Sequence, residues 1–353
     1  MQRFFTPKAL IILAGLIMGV MGALLVKWGN PPNMGICVAC FIRDIAGGLG
    51  LHRAGVVQYI RPDILGFFGG SFIAAYAFGE FRARGGSSPL VRFLLGALVM
   101  LGALVFLGCP IRATLRLAGG DLNGIIGLAG VAIGALVGIF FIYRGYNLGR
   151  AIKIPAAAGW IVPLTMVGLL LLAILEPGFI FSSEEGPGSL HAALGISLGV
   201  GLIVGFLAQR TRMCFVGSWR DIFLIRDGYL MSAVVACFLG ALVFNLILGQ
   251  FRLGFDGQPA AHSSHLWNFL SMVLVGLAAT LLGGCPLRQL ILSGEGDTDA
   301  AVTLLGLFAG AAFAHNFGLA SNSAGPSVFG PLAIILGLVI TICLGLLMRV
   351  RLA

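Results

Sequence analysis

The chain has 353 residues, 59% hydrophobic and 10% charged, with a mean hydropathy of +1.03. A soluble domain carries about 25% charged residues, so this composition excludes a water-soluble globular fold and defines an integral membrane protein. The formal charge of +9 would suit a nucleic-acid binder, but Lys and Arg stand at the ends of apolar runs with no basic stripe of interleaved aromatics. The positive-inside rule accounts for that charge, and no nucleic acid is expected as a partner.

Apolar runs of near-spanning length fall at 9–27, 62–80, 91–108, 124–143, 159–176, 189–208, 229–249, 267–284, 299–317 and 329–348. The first follows Arg3 and Lys8, as a signal peptide would. It is as long as a full span and no small-residue cleavage site follows, so a retained first helix is expected. The chain holds 54 glycines, which let helix backbones approach closely and mark helix breaks. Short pieces after Cys37, Cys109, Cys214 and Cys285 are too short or too polar to span, and re-entrant half-helices are expected there.

Loop charges set the topology. Arg82, Arg84 and Arg92 mark one cytoplasmic loop, Arg144, Arg150 and Lys153 another, and Arg349 with Arg351 places the C-terminus inside. Glu176, Glu184 and Glu185 mark an outside segment. The loop around Cys37 then falls outside although it carries Lys27, Arg43, Arg53 and Arg61. Either the count is off by one span or these arginines serve a function.

The four cysteine stretches form two pairs at one spacing. Asn33-Met34-Gly35-Ile36-Cys37-Val38-Ala39-Cys40-Phe41-Ile42-Arg43-Asp44 has a partial copy in Arg210-Thr211-Arg212-Met213-Cys214-Phe215-Val216-Gly217-Ser218-Trp219-Arg220-Asp221 (214 − 37 = 177). Gly108-Cys109-Pro110-Ile111-Arg112 recurs as Gly284-Cys285-Pro286-Leu287-Arg288 (285 − 109 = 176), and Asp121 recurs as Asp297 (297 − 121 = 176). Such self-similarity marks a duplicated unit. Five spans separate equivalent elements, an odd number, so the copies are expected to be inverted. The expected fold is all-α integral membrane, about ten spans as two inverted repeats with paired re-entrant half-helices around a central pathway. Residues 1–158 would form the first repeat, with re-entrant segments 33–48 and 109–119. Residues 159–353 would form the second with a connecting helix, and with segments 214–226 and 285–295.

Proline suits the first turn of a helix, so Cys109 and Cys285 are expected near the N-caps of short helices. Free N–H groups and the positive dipole end would surround each sulfur, which favours anions. Arg112 and Arg288 add charge within one turn. Inverted copies would bring the two corners face to face in mid-membrane as a narrow, thiol-lined passage. The candidate pathway residues are Cys37, Cys40, Cys109, Cys214, Cys285, Arg112, Arg288, Arg43 and Arg220. Arg43-Asp44 and Arg220-Asp221 read either as neutralising pairs or as groups that meet an anion. Asp121 and Asp297 read as caps, and Cys237 and Cys343 as small buried hydrophobes. Cys37-Val38-Ala39-Cys40 also spells C-x-x-C, but no second pair of Cys or His completes a metal site and no cofactor motif occurs.

At these residues the chain resembles the YeeE/YedE sulfur-transport membrane proteins. The likeness rests on Asn33 to Cys40, Gly108-Cys109-Pro110, Arg116 to Asp121 and Gly284-Cys285-Pro286. The first stretch and Leu51-His52-Arg53 look most like the branch associated with selenium metabolism. The resemblance implies an inner-membrane permease, not an enzyme, with short helices meeting at a cysteine-lined constriction. It maps Cys109, Cys285 and one of Cys37 or Cys40 onto pathway cysteines. It implies a small sulfur- or selenium-containing anion as substrate, thiosulfate-like, and a cytoplasmic sulfur- or selenium-carrier protein as a candidate partner. The alternative is a membrane thiol oxidoreductase or sulfurtransferase using Cys37 and Cys40.

Overall fold

A computed structural model describes residues 6–349. Arg3, named above before the first apolar run, and Arg351, used to place the C-terminus, lie outside the described residues. Among the described residues fourteen α-helices follow one another, interrupted by a two-residue antiparallel ribbon of β1 (Arg84–Gly85) and β2 (Ile152–Lys153). Ten are long: α1 (Pro7–Lys27), α3 (Pro62–Ala77), α4 (Pro89–Phe106), α6 (Asn123–Tyr143), α7 (Ala156–Leu175), α8 (Leu194–Thr211), α10 (Tyr229–Ile247), α11 (His265–Leu282), α13 (Thr298–Asn316) and α14 (Gly330–Leu347). Four are short: α2 (Val38–Gly48), α5 (Pro110–Ala118), α9 (Gly217–Ile225) and α12 (Pro286–Gly294).

Among the described residues, nine helical stretches are long and apolar enough to cross a membrane. The tenth expected run, 62–80, folds as α3 with 16 residues, about 24 Å at 1.5 Å per residue. Pro62 opens it, and Gly79, at φ +66°, turns the chain away after Phe78. All four short pieces fall where re-entrant half-helices were expected. An all-α multi-pass membrane protein is the result.

Close glycine contacts fix how the long helices cross. A Cβ at Gly15 would overlap the Ala233 carbonyl, and one at Gly19 the Cys237 carbonyl, so α1 and α10 run side by side in the same direction. Gly66 likewise abuts Leu198 and Gly201, and Gly70 abuts Leu202, which sets α3 parallel to α8. Residue order shows the same for α6 with α11 (Gly130 to Phe269, Gly134 to Val273, Gly138 to Thr280) and for α4 with α13 (Gly306 to Phe93, Gly310 to Ala97). Glycine spaced four residues apart removes the side chains that would hold two backbones apart, which is how helices associate where burial from water gives no drive. The pairs recur in a swapped plan: α1 with α10 and α3 with α8, α4 with α13 and α6 with α11, α5 with α10 and α12 with α3. Helices α7 and α14 do not share it. The first packs on α3, the second on α4 and α11.

Loop-to-corner hydrogen bonds repeat the swap. Arg82 and Arg84 donate N–H to the Glu295 and Gly296 carbonyls at 2.9 and 3.2 Å. Arg252 and Gly254 donate to the Gly119 and Gly120 carbonyls at 2.8 and 3.0 Å. Each loop between long helices therefore straps the corner that follows the other half's Gly-Cys-Pro helix.

Candidate functional site

Cys109 and Cys285 are the N-caps of α5 and α12, with Pro110 and Pro286 in the first turn. Cys37 is the N-cap of α2, in extended backbone, and its Sγ accepts the Cys40 N–H at 3.3 Å. Cys214 Sγ accepts the Gly217 N–H at 3.2 Å, the same bond one copy later. Three thiols stand where Ser or Asp caps usually stand, and Cys214 precedes the Val216 cap of α9 by two residues, so four short helices turn their positive ends toward sulfur.

The sulfurs gather in two groups. In the first station, Cys37 Sγ lies 2.7 Å from Cys40 Sγ and 3.8 Å from Cys109 Sγ. In the second, Cys214 Sγ accepts the Cys285 N–H at 3.3 Å. Each Gly-Cys-Pro cysteine therefore meets the N-terminal thiol of its own half. Cys40, which aligns with Gly217, makes the first station richer by one sulfur. All five are buried. Cys237 is buried within α10, while Cys343 is exposed on α14 rather than buried as expected, because α14 turns much of its surface outward.

Arg112 completes the first station. It is fully buried, and its Nε and Nη2 donate to the Asn33 and Ala260 carbonyls at 2.8 and 2.9 Å. Its Nη1 reaches Cys40 Sγ at 3.3 Å. Among the described residues Arg112 has no carboxylate partner. A buried cation without a counter-charge is costly, and such a setting favours negative charge nearby. One turn on, Arg116 pairs with Asp121 at 2.6 Å, and its Nη2 has no partner. A cavity of about 300 Å³, lined by Asn33, Asn245, Gln250, Arg252 and Gln258, reaches Asn33 between α1, α5 and α10. Arg288, in the first turn of α12 after Cys285, is paired with Glu295 at the C-cap of that helix at 3.2 Å.

The other two candidates sit differently. Arg43 and Arg61 share Asp44, at 2.6 and 2.7 Å, and all three are buried. Arg61 also donates to the Leu190 and Pro187 carbonyls, which ties the 187–190 turn to α2. These arginines are internal ion-pair partners rather than loop charges, which removes two of the four cations that seemed misplaced on that side. Arg220 pairs with Asp221 at 2.7 Å and is part-exposed. Asp297 caps α13 through the Ala300 N–H, as expected, and also binds Arg84 at 2.8 Å. Asp121 bonds the Asn123 N–H besides its ion pair.

Sequence reasoning missed Arg61, Asn33 and Glu295 as members of these networks. Glu295 was legible: the offset of 176 lays it on Gly119 (295 − 119 = 176), one of the places where the two copies differ in charge. Arg61 and the Ala260 carbonyl carry no local signal.

The fold and site define a class: a multi-pass helical membrane protein whose broken helices aim their N-termini at clustered thiols and an unpaired arginine. Residues 210–353 match the family model described as Sulphur transport. A stretch of 101 residues is 30% identical to the thiosulfate transporter TsuA of Spirochaeta thermophila, covering 29% of this chain and 30% of that transporter. Neither comparison points to the selenium-metabolism branch.

Proposed function

We propose that this chain is a permease of the inner (plasma) membrane that carries a small sulfur-containing anion of the thiosulfate type through the two thiol stations in turn. The observation that carries the reading is Arg112, fully buried and lacking a carboxylate, beside Cys40 and the converging N-termini of α2 and α5. A polarisable anion suits that setting: the guanidinium and helix ends offset its charge and S–H groups offer weak donors. Each contact is modest, as a site that must also release its ion requires. The family match and the likeness to a thiosulfate transporter support sulfur over other anions. A selenium species, and a cytoplasmic carrier protein receiving the cargo, rest on the motif resemblance alone.

The architecture that would serve this is a pair of inverted copies. Five long helices precede α8 and five begin with it, so equivalent helices run in opposite senses if the spans alternate. The parallel packing of α1 with α10, α3 with α8, α4 with α13 and α6 with α11 supports that alternation. The first station then opens toward the face of Glu184 and Glu185, and the second toward the face of Arg82 and Arg84.

Uptake of labelled thiosulfate, sulfate and selenite into proteoliposomes tests the reading. Saturable thiosulfate flux is expected, and it should fall at least tenfold in the Cys109→Ala, Cys285→Ala double variant. Undiminished flux in that variant would remove the thiols from the pathway. The 2.7 Å approach of Cys37 to Cys40 favours a thiol oxidoreductase as the second reading. It predicts a covalent adduct on one of those sulfurs after turnover, read by mass spectrometry, where the permease reading predicts none.

A further inference from the structure

Arg112 and Arg288 each stand three residues after the cysteine of a Gly-Cys-Pro corner, yet their surroundings differ in charge. Arg112 is held by two carbonyls and Cys40 Sγ. Arg288 faces the Glu295 carboxylate at 3.2 Å, whose other oxygen binds Arg84 at 3.1 Å. The corners differ in charge at three aligned places, Arg116, Gly119 and Asn123 in the first against Leu292, Glu295 and Asp299 in the second, and of the second set Glu295 is the one that reaches Arg288. The Glu295 backbone accepts the Arg82 N–H just as Gly119 accepts the Arg252 N–H, so the corner is built alike with or without the side chain. Glu295 is only 2% exposed, so its charge acts where water screens poorly.

We propose that Glu295 is the release element of the second station: its carboxylate competes with the substrate anion for Arg288, so an anion bound firmly at Arg112 is bound weakly at Arg288. The proposal rests on the anion-permease reading above. An anion arriving at Arg288 must displace Glu295 or lie beside it against like-charge repulsion. Arg84, with a side chain 32% exposed, holds the displaced carboxylate, so Glu295 is never left unpaired. The asymmetry does not set the direction of net flow, which follows the gradient. It sets which face has the low half-saturating concentration.

Thiosulfate flux into right-side-out and inside-out vesicles containing the full chain gives a half-saturating concentration for each face. The wild type should show the higher value on the Arg84 face. Glu295→Gln, which keeps size and removes charge, should lower that value at least tenfold, slow maximal flux, and leave the opposite face within twofold. The mirror variant Gly119→Glu should raise the opposite-face value at least tenfold. Its Cβ would meet Asn33 Oδ1 at 3.2 Å, a contact the Asn33 amide can yield, and the backbone there, at φ −86°, suits any residue. An unchanged Arg84-face value in Glu295→Gln overturns the proposal and leaves the permease reading standing. If that protein does not fold, an unchanged opposite-face value in Gly119→Glu does the same. No saturable thiosulfate flux in the wild type would take both down.

Discussion

Arg112 is the residue on which the site turns, because its three partners are two carbonyl oxygens and a sulfur rather than a carboxylate. A charge-assisted contact to a bound anion contributes about 1.5–3 kcal/mol, which corresponds to roughly 10- to 100-fold in affinity. Arg112→Gln is therefore expected to raise the half-saturating thiosulfate concentration by that range, in folded protein, with proteoliposome uptake as the readout. Cys40 should matter less than Cys37 or Cys109. The second half carries Gly217 at that place, and the N–H that Cys37 Sγ accepts is a backbone group that Cys40→Gly retains. Uptake by Cys40→Gly should thus exceed uptake by Cys37→Ala. At this scale the sequence showed much. Proline after cysteine placed both thiols at N-caps, and the repeat offset paired the arginines. It did not show Arg112's company, since the Asn33 and Ala260 carbonyls lie 79 and 148 residues away. A carbonyl gives no sequence signal, because every residue has one.

Helices pair here through glycine faces, where close approach leaves no room for a side chain. Gly19 sits against the Cys237 backbone with no room for a side chain, whereas a Cβ at Gly199 would meet nothing. Overpacking costs about 1–3 kcal/mol where neighbours can shift, and here the neighbour is backbone. Gly19→Leu should lower the melting temperature of purified protein by several degrees, while Gly199→Leu should leave it unchanged. Equal losses in both would mean that helix propensity, not close approach, is at stake. Ten apolar runs gave the ten long helices within a few residues, and four leftover pieces gave the four short ones. Partner choice was only half legible. The i, i+4 spacing of Gly15 with Gly19 and of Gly66 with Gly70 marks a contact face without naming its mate.

Across the whole molecule, burial removes half of the conflict in the charge pattern. Arg43 and Arg61 are sequestered on Asp44, which leaves Lys27 and Arg53 exposed on the side that also carries Glu184 and Glu185. Counting charges along a sequence treats every arginine as a loop charge, and only the fold separates the two kinds. An impermeant maleimide should label Glu185→Cys in intact cells and Lys153→Cys only after lysis, in a Cys343→Ser background that removes the exposed native thiol. The reverse pattern would invert the molecule and exchange the roles of the two stations. Helices α7 and α14 could not be assigned to places from their apolarity alone. Both are span-length and apolar, yet one packs on α3 and the other on α4 and α11.

The most direct measurement is a high-resolution map of the full chain in saturating thiosulfate. The account predicts density for a tetrahedral anion within hydrogen-bond reach of the Arg112 guanidinium and bounded by Cys37, Cys40 and Cys109. A first station left empty at saturation, with the anion bound away from Arg112 and from all five thiols, would contradict it.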